Sequence, residues 1–410
     1  MLKRQFRNLA HFLLAIVLAV TGWWCTIFSA YGGAASATQY HSSDPVTILS
    51  TAEMQKYGLL FPDMPLGFVR GSNGQYMAFA GGGSVRDLGP GPGKVPFGTY
   101  KFSGTLDHLV PGKTSGQWPA YSLTNGLKQP SPDGSAFDRD YAAGGPTYTM
   151  PGSSALLQIY HGEYHCGSNA GLPAYGASGM ALSTDAGDSF KKIGEILSPH
   201  VPQEELCQSG KKAGFWADGG LIEADADGHR STAGEAYDYI LFVDHNAMDE
   251  PFIGISIARA KKADVLASIS QGTAPKFQKY YNPKTMPGSF GQFFTEPGLG
   301  GNSTPIVATR NVYIGTPGVL YDSYLRKFVL YYQFNQKHIS LLTSDTLFEW
   351  SAPVNVLDID QSAELRLFYP SLVGLGADPA DLGKEFYVYY LERTPPNVNP
   401  RLMRIKLVIE

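Results

Sequence analysis

Apolar residues in this chain cluster in short runs, and the runs come in sets of three. One set comprises Gly145-Pro146-Thr147-Tyr148-Thr149-Met150, then Leu156 to His161, then Ser178 to Ser183. The same order returns at Gly220 to Ala224, Tyr237 to Val243 and Ile253 to Ala258. It returns again at Thr316 to Tyr321, Phe328 to Phe334 and Ile339 to Thr343, and at Tyr369 to Leu375, Phe386 to Leu391 and Leu402 to Val408. A looser copy precedes them at Leu66 to Arg70, Tyr76 to Ala80 and Gly98 to Phe102. Short apolar runs bounded by Gly, Pro, Asn and Asp are strand signals. The second run of each set is rich in aromatics, around Phe79, Tyr160, Phe242, Tyr331 and Tyr389. These centres are spaced more widely than the roughly 40–50 residues of compact four-stranded repeats. The excess lies in Gly/Pro-rich insertions at Gly81 to Pro96 and Tyr280 to Val312, and insertions of that length usually carry function or lack order. No long amphipathic helix is evident; Ala260 to Ser270 suits a short one.

Five sets of strands predict an all-β protein, a five-bladed β-propeller with long Gly/Pro-rich loops. At 410 residues the chain has the length of two or three ordinary domains, but propeller blades share one ring and count as one domain. The ring is assigned to residues 38–410. Residues 1–37 read as a signal peptide: Lys3, Arg4 and Arg7 form the positive start, Phe12 to Val20 the apolar stretch, and Ala35-Ser36-Ala37 a small-residue cleavage site. An uncleaved anchor is the competing reading, because Trp23, Trp24 and Phe28 prolong the apolar stretch. The expected location is outside the cytoplasm, secreted or periplasmic, without stable membrane insertion after cleavage.

Charge then narrows the partners. The leader holds three of the 32 basic residues and none of the 36 acidic ones, so its removal takes the formal charge from −4 to −7. That balance argues against nucleic acid or an anionic membrane. Two cysteines remain, Cys166 and Cys207, and an oxidising compartment predicts that they form a disulfide rather than two buried thiols.

Ser183-Thr184-Asp185-Ala186-Gly187-Asp188-Ser189-Phe190 fits the pattern Ser-x-Asp-x-Gly-x-Ser/Thr-aromatic. It resembles the Asp-box of sialidase-type propellers, a turn between outer blade strands whose Asp and Ser bind the turn backbone. Thr343-Ser344-Asp345-Thr346-Leu347-Phe348-Glu349-Trp350 is a degraded copy with Leu in place of Gly. Asp185 and Asp345 are therefore read as structural, and Asp225, Asp227 and Asp322, which follow first strands, as solvated turn acids. Over about residues 60 to 410 the strand order resembles the five-bladed glycoside hydrolase superfamily of arabinanases, xylosidases and invertases. Sialidases compete, but they need three convergent arginines; Arg70, Arg310, Arg366 and Arg393 are the candidates, with no sialidase arginine motif around them.

In such propellers the first strands begin, and the second strands end, at one face of the ring. Asp138, Asp140, Asp218, Glu296 and Arg366 precede first strands; His161, Glu163 and His165, then Asp244 and His245, then Gln333, then Glu392 and Arg393 close second strands. Glycoside hydrolysis needs two carboxyl groups flanking one bond. The resembling families place an Asp base at the first inner strand, a second Asp that tunes, and a Glu acid on another blade. By position Asp140 is the expected base, Asp218 the tuning residue, and either Glu163 or Glu296 the acid. Asp138, His161, His165, Trp216, Asp244, His245, Arg366, Tyr369 and Arg393 are the expected sugar contacts. Along a strand His161, Glu163 and His165 share one side, which suits a metal or a hydrogen-bonding sugar site. No cofactor is required, although the central channel leaves room for a structural calcium or other metal ion. The expected function is hydrolysis of an oligo- or polysaccharide; the alternative is a propeller that binds glycan or protein without catalysis.

Overall fold

In the computed structural model the second strand of every set is buried on both faces, which explains why these runs are almost continuously apolar. The structure describes residues 38–56, 63–71, 73–82, 98–111, 137–167, 174–209, 212–216, 220–231, 234–245, 252–310, 314–394 and 400–410. The expected leader, residues 1–37, lies outside them, as do most of the Gly81 to Pro96 insertion and Asp218. Among the described residues no helix is long and apolar enough to cross a membrane.

Five blades form a β-propeller. Strands β1 (Tyr40–Ser42) and β2 (Val46–Leu49) and helix α1 (Thr51–Lys56) precede the first blade, which holds β3 (Gly67–Arg70), β4 (Tyr76–Gly82), β5 (Gly98–Thr105) and β6 (His108–Pro111). The second blade holds β7 (Tyr141–Thr149), β8 (Leu156–Tyr164), β9 (Ala174–Ser183) and β10 (Lys191–Leu197), followed by α2 (Gln203–Ser209). Strand β11 (Lys212–Trp216) runs parallel to β9 and antiparallel to β13 (Tyr237–His245), so it joins the second and third blades into one continuous sheet. The third blade comprises β12 (Leu221–Ala224), β13 and β14 (Phe252–Lys261), then α3 (Lys262–Ser270). The segment from Gln278 to Arg310 widens its outer edge with β15 (Gln278–Tyr280), β16 (Phe294–Pro297) and β17 (Val307–Arg310). The fourth blade is β18 (Ile314–Asp322), β19 (Lys327–Phe334), β20 (His338–Ser344) and β21 (Val354–Asp358). The fifth is β22 (Arg366–Gly374), β24 (Glu385–Arg393) and β25 (Arg401–Ile409), with the short β23 (Asp381–Leu382) pairing back to β18.

Strand alternation turns each blade into a wedge with two apolar faces. In β24, Phe386, Val388 and Tyr390 pack toward the fourth blade, while Tyr389 and Leu391 pack toward the first. In β19, Phe328, Leu330 and Tyr332 face the third blade, and Val329 and Tyr331 face the fifth. The result is one apolar cluster in each of the five seams between neighbouring blades. The first and last blades meet in the same way, because β1 and β2 pair antiparallel with β25, Tyr40 opposite Ile409 and Val46 opposite Arg404. The chain thus closes its own ring with an N-terminal strand that the three-strand repeats did not foretell.

The Asp-box between β9 and β10 forms as its pattern implies. Asp185 Oδ1 accepts from Ser189 N at 2.9 Å and from Ser183 Oγ at 2.8 Å, and Oδ2 accepts from Ser189 Oγ at 2.5 Å. Desolvation opposes the charge on Asp185, but these donors outweigh it and hold the carboxyl below its usual range. Gly187 has φ +84°, and a Cβ there would meet Phe79 at 2.5 Å, so the turn admits no side chain. Phe190 packs edge-on against Phe79 at 5.6 Å and so pins this turn to the first blade. Asp225 and Asp227 do lie in a turn. Asp322 is a turn acid but not a solvated one: it is buried, with Oδ1 accepting from the backbone of Tyr324 and Leu325.

Leu49, buried in the seam that closes the ring, is expected to cost about 2–5 kcal/mol when cut to Ala. Deleting residues 38–49 is expected to cost more, since it strips β25 of its outer partners β1 and β2 and opens that seam. Urea unfolding checks both; a deletion variant that unfolds as sharply and at the same midpoint as the full chain would refute this account of closure.

Candidate functional site

The inner strands carry a common irregularity. Register shifts fall between Gly144 and Thr147 in β7, between Gly315 and Gly318 in β18, and between Phe368 and Ser371 in β22. Each shift contains a proline, Pro146, Pro317 or Pro370, which cannot donate to the ladder and settles at a bulge. Thr316 and Tyr369, immediately before two of these prolines, have φ +49° and +52°. Non-glycine residues rarely adopt that backbone, and in Tyr369 it belongs to the bulge from which the phenol reaches Asp63.

Asp63 is the centre of the arrangement. It leads into β3, and its backbone N–H donates to Gly81 O at the end of β4. Its Oδ2 accepts from Tyr141 OH of the second blade at 2.9 Å and its Oδ1 from Tyr369 OH of the fifth at 2.5 Å. Burial raises the Asp63 carboxyl above its usual range; Arg393 and the Tyr369 hydroxyl pull it down, the Glu163 charge pushes it up, and the Tyr141 hydroxyl pulls it down. Burial, followed by the Asp63 charge, drives the Tyr141 phenol far above its usual value. Arg393, almost wholly buried, closes this side with its guanidinium 4.6 Å from the Phe368 ring centre and 5.5 Å from that of Tyr369.

Glu163, at the end of β8, lies opposite Tyr141 across the ladder. Its Oε2 is 2.7 Å from His165 Nε2 and its Oε1 3.2 Å from His161 Nε2. The expected alignment of His161, Glu163 and His165 on one side of the strand is thus present, with both imidazoles turned onto the carboxylate. Among the described residues no group of three or more His, Cys, Asp or Glu side chains is placed to hold a metal ion.

Other expected residues lie elsewhere. Asp140 turns Oδ2 to the backbone N–H of His165 at 2.6 Å, while its own N–H donates to Glu163 O at 3.1 Å; it braces the end of β8. Asp138 is buried beneath this loop, where its Oδ2 accepts from Tyr160 OH at 2.9 Å and pairs with Lys192 Nζ at 2.5 Å. The two aspartates therefore do not share a side, because the segment before β7 turns instead of extending. Glu296 lies on β16 at the outer edge of the third blade and accepts from Asn302 N at 3.0 Å. Asp244 closes β13 beside Ser303 and His200, at 3.4 and 3.8 Å. Lys279, buried nearby, donates to Ser198 O and Gly301 O, both at 2.6 Å, and burial lowers its ammonium to about 8 against the pull of Asp244 and Glu296. Arg366 is paired across the ladder with Arg393 but its charge is felt at Lys337; Arg70 reaches Gly376 O at 2.6 Å on an exposed edge. Among the candidate arginines with described side chains, only Arg393 is placed at Asp63. Asp218 and the side chains of Trp216, His245 and Arg310 lie outside the described residues. Cys166 and Cys207 are joined in a disulfide, with Cα atoms 5.4 Å apart.

Sequence reasoning overlooked Asp63. The signal was available: Asp63-Met64-Pro65 leads into the first strand of the looser copy, just where the resemblance asks for an Asp.

No protein-family model matches the chain, and no curated protein matches it. Among solved structures it is similar to the α-L-arabinofuranosidase PaAbf62A from Podospora anserina, determined in complex with cellotriose, with a TM-score of 0.50 and 9% identity over 90% of this chain and 97% of that one. It is also similar to the catalytic domain of the GH62 α-L-arabinofuranosidase of Coprinopsis cinerea, with a TM-score of 0.48 and 8% identity over 91% of this chain and 98% of that one, and to the arabinanase Arb43A of Bacillus subtilis, at 0.40 and 10% over 83% and 93%. At these identities the likeness is one of fold, the five-bladed propeller.

A carboxyl raised by burial makes folding less favourable as pH climbs from the unfolded value near 3.8 toward the folded one, because the folded state holds the proton longer. Asp63→Asn is therefore expected to be more stable than the parent at pH 7, relative to their difference at pH 3, as measured by urea unfolding at both pH values. An unchanged difference would contradict the raised carboxyl.

Proposed function

We propose that the chain is an exported glycoside hydrolase in which Asp63 is the base and Glu163 the acid. The observation that carries this reading is the convergence of Asp63, on the approach to β3, and Glu163, at the end of β8, about Tyr141, which donates to Asp63 and lies opposite Glu163, near enough for the Glu163 charge to raise the Asp63 carboxyl. Hydrolysis of a glycosidic bond uses two carboxyl groups that flank it, and a carboxyl with shifted proton affinity beside a second one marks a candidate site. The fold shared with an arabinofuranosidase solved with cellotriose supports a carbohydrate substrate, and the disulfide supports an oxidising compartment.

The residues divide the work as follows. Asp63 accepts hydrogen bonds at both oxygens from hydroxyl groups, which orients it as a carboxylate with lone pairs left for a water molecule. Its raised proton affinity makes it a stronger base nearer neutral pH. Asp63 removes a proton from that water as the oxygen attacks the anomeric carbon. Glu163 delivers a proton to the glycosidic oxygen as the carbon–oxygen bond breaks. The proton gained by Asp63 returns to solvent, and Glu163 is reloaded from solvent through His165 or His161. Water is thereby added across one bond, with inversion at the anomeric carbon. The substrate class proposed is a pentose-containing oligosaccharide, in keeping with the arabinanases and xylosidases that the strand order resembles.

Hydrolysis of arabino- and xylo-oligosaccharides by the mature chain, followed by 1H NMR of the nascent anomer, tests this. Asp63→Asn and Glu163→Gln are each expected to lower kcat by about 10²–10⁴-fold on an unactivated oligosaccharide. On a dinitrophenyl glycoside, whose leaving group needs no proton, the Glu163→Gln loss is expected to shrink and the Asp63→Asn loss to persist. Oligosaccharide binding with no turnover by the parent protein would instead favour the non-catalytic propeller.

A further inference from the structure

Resting on Glu163 as the acid, we propose that Asp140 and the Cys166–Cys207 disulfide together are a positioning device that holds His165 against the Glu163 carboxyl. The observations converge on the end of β8, from Glu163 to Cys166. His165 Nε2 lies 2.7 Å from Glu163 Oε2, although the two residues are only two apart and a free strand end would let the imidazole swing into solvent. The backbone before the ring is held by Asp140, whose Oδ2 takes the His165 N–H at 2.6 Å. Asp140 is itself tied to the same strand end through its N–H on Glu163 O. The backbone after the ring is held by the disulfide. Cys166 has φ +53°, a conformation rare for a residue with a side chain, and an unrestrained chain would leave it readily. Cys207 sits in α2, next to Leu206, which is fully buried in the seam between the first and second blades. The disulfide thus connects the residue after His165 to a helix that the core immobilises.

Asp138 completes the support from below. Its buried pair with Lys192 and its bond from Tyr160 OH fix the segment that presents Asp140. A cleft that only bound sugar would gain little from such bracing of one imidazole. An acid that must reach a glycosidic oxygen gains a great deal, because misplacement of about 1 Å can cost about 10²-fold.

The test uses Asp140→Asn, Asp140→Ala and the double variant Cys166→Ser/Cys207→Ser in the mature chain, each confirmed as folded by near-UV circular dichroism. With the oligosaccharide hydrolysed above, Asp140→Ala and the cysteine variant are each expected to lose about 10–100-fold in kcat with little change in KM. Asp140→Asn, which keeps an acceptor for the His165 N–H, is expected to recover most of the loss. On the dinitrophenyl glycoside the losses are expected to fall below about threefold, since acid assistance is not needed there. Combining Asp140→Ala with the cysteine variant is expected to cost little more than either alone, because both release the same imidazole. Equal losses on both substrates, additive losses, or full kcat in either variant would overturn the proposal. If Glu163→Gln itself shows no dependence on leaving group, it is the assignment of Glu163 that has failed, and that outcome is read from a separate variant.

Discussion

Closure of the ring is the constraint on which everything else here rests. Each blade is a wedge with an apolar face on either side, and a row of such wedges buries its last two faces only when it comes full circle. Here the N-terminal strands β1 and β2 complete the fifth blade by pairing with β25, and the seam between the fifth and first blades fills with Leu49, Met54, Phe68, Tyr100, Tyr389 and Leu391. The described parts of the site lie around that seam. Asp63 comes from the approach to the first blade, Tyr369 and Arg393 from the fifth, and Tyr141, His161, Glu163 and His165 from the second. Without closure Asp63 would lose its Tyr369 donor and its arginine together.

The bulges of the inner strands convert that closed ring into a site. A regular strand would continue the alternation of side chains toward the two seams. A proline placed in the register shift interrupts the ladder, and the residue before it turns into the left-handed region in two of the three cases. At Tyr369 the hydroxyl ends 2.5 Å from Asp63. The backbone cost of such a residue, of the order of 1–3 kcal/mol, is offset by the packing of the blade around it, and strain of this kind belongs where pre-organisation matters. A desolvated carboxylate beside Arg393 and two phenols is likewise unfavourable for folding by itself, and the five seams of apolar packing are large enough to hold it.

The strand sets were legible because their cause is local. Phe328 to Tyr332 and Phe386 to Leu391 are apolar throughout since both faces of a second strand are covered, and the five second-strand runs mark five blades. The Asp-box was legible because the bonds among Ser183, Asp185 and Ser189 close within seven residues, and the disulfide because only two cysteines lie beyond residue 37. Strands β1 and β2 were not, because Tyr40–Ser42 and Val46–Leu49 are short and mostly exposed, and their partner lies at the other end of the chain. The carboxylates were harder. Asp138, Asp140 and Glu296 all stand near strand ends, as a site residue should, but position along the chain does not reveal which way a loop turns. Asp138 went to Lys192, Asp140 to the His165 backbone and Glu296 to the loop at Asn302.

What the sequence determined by itself is therefore the repeated element: strands of period two, aromatic second strands, a box turn closed by its own side chains, and a cluster of His161, Glu163 and His165 already aligned by their spacing. Those follow from interactions that span a few residues. Only the tertiary structure decided that Asp63, written between two prolines and apparently a loop residue, meets Tyr141, Tyr369, Arg393 and the charge of Glu163. That meeting depends on the angle between blades, the register shift at each inner proline and the final pairing of Tyr40 with Ile409. These are properties of the closed ring, in which a single register error would redirect a side chain, and no local pattern of residues encodes them.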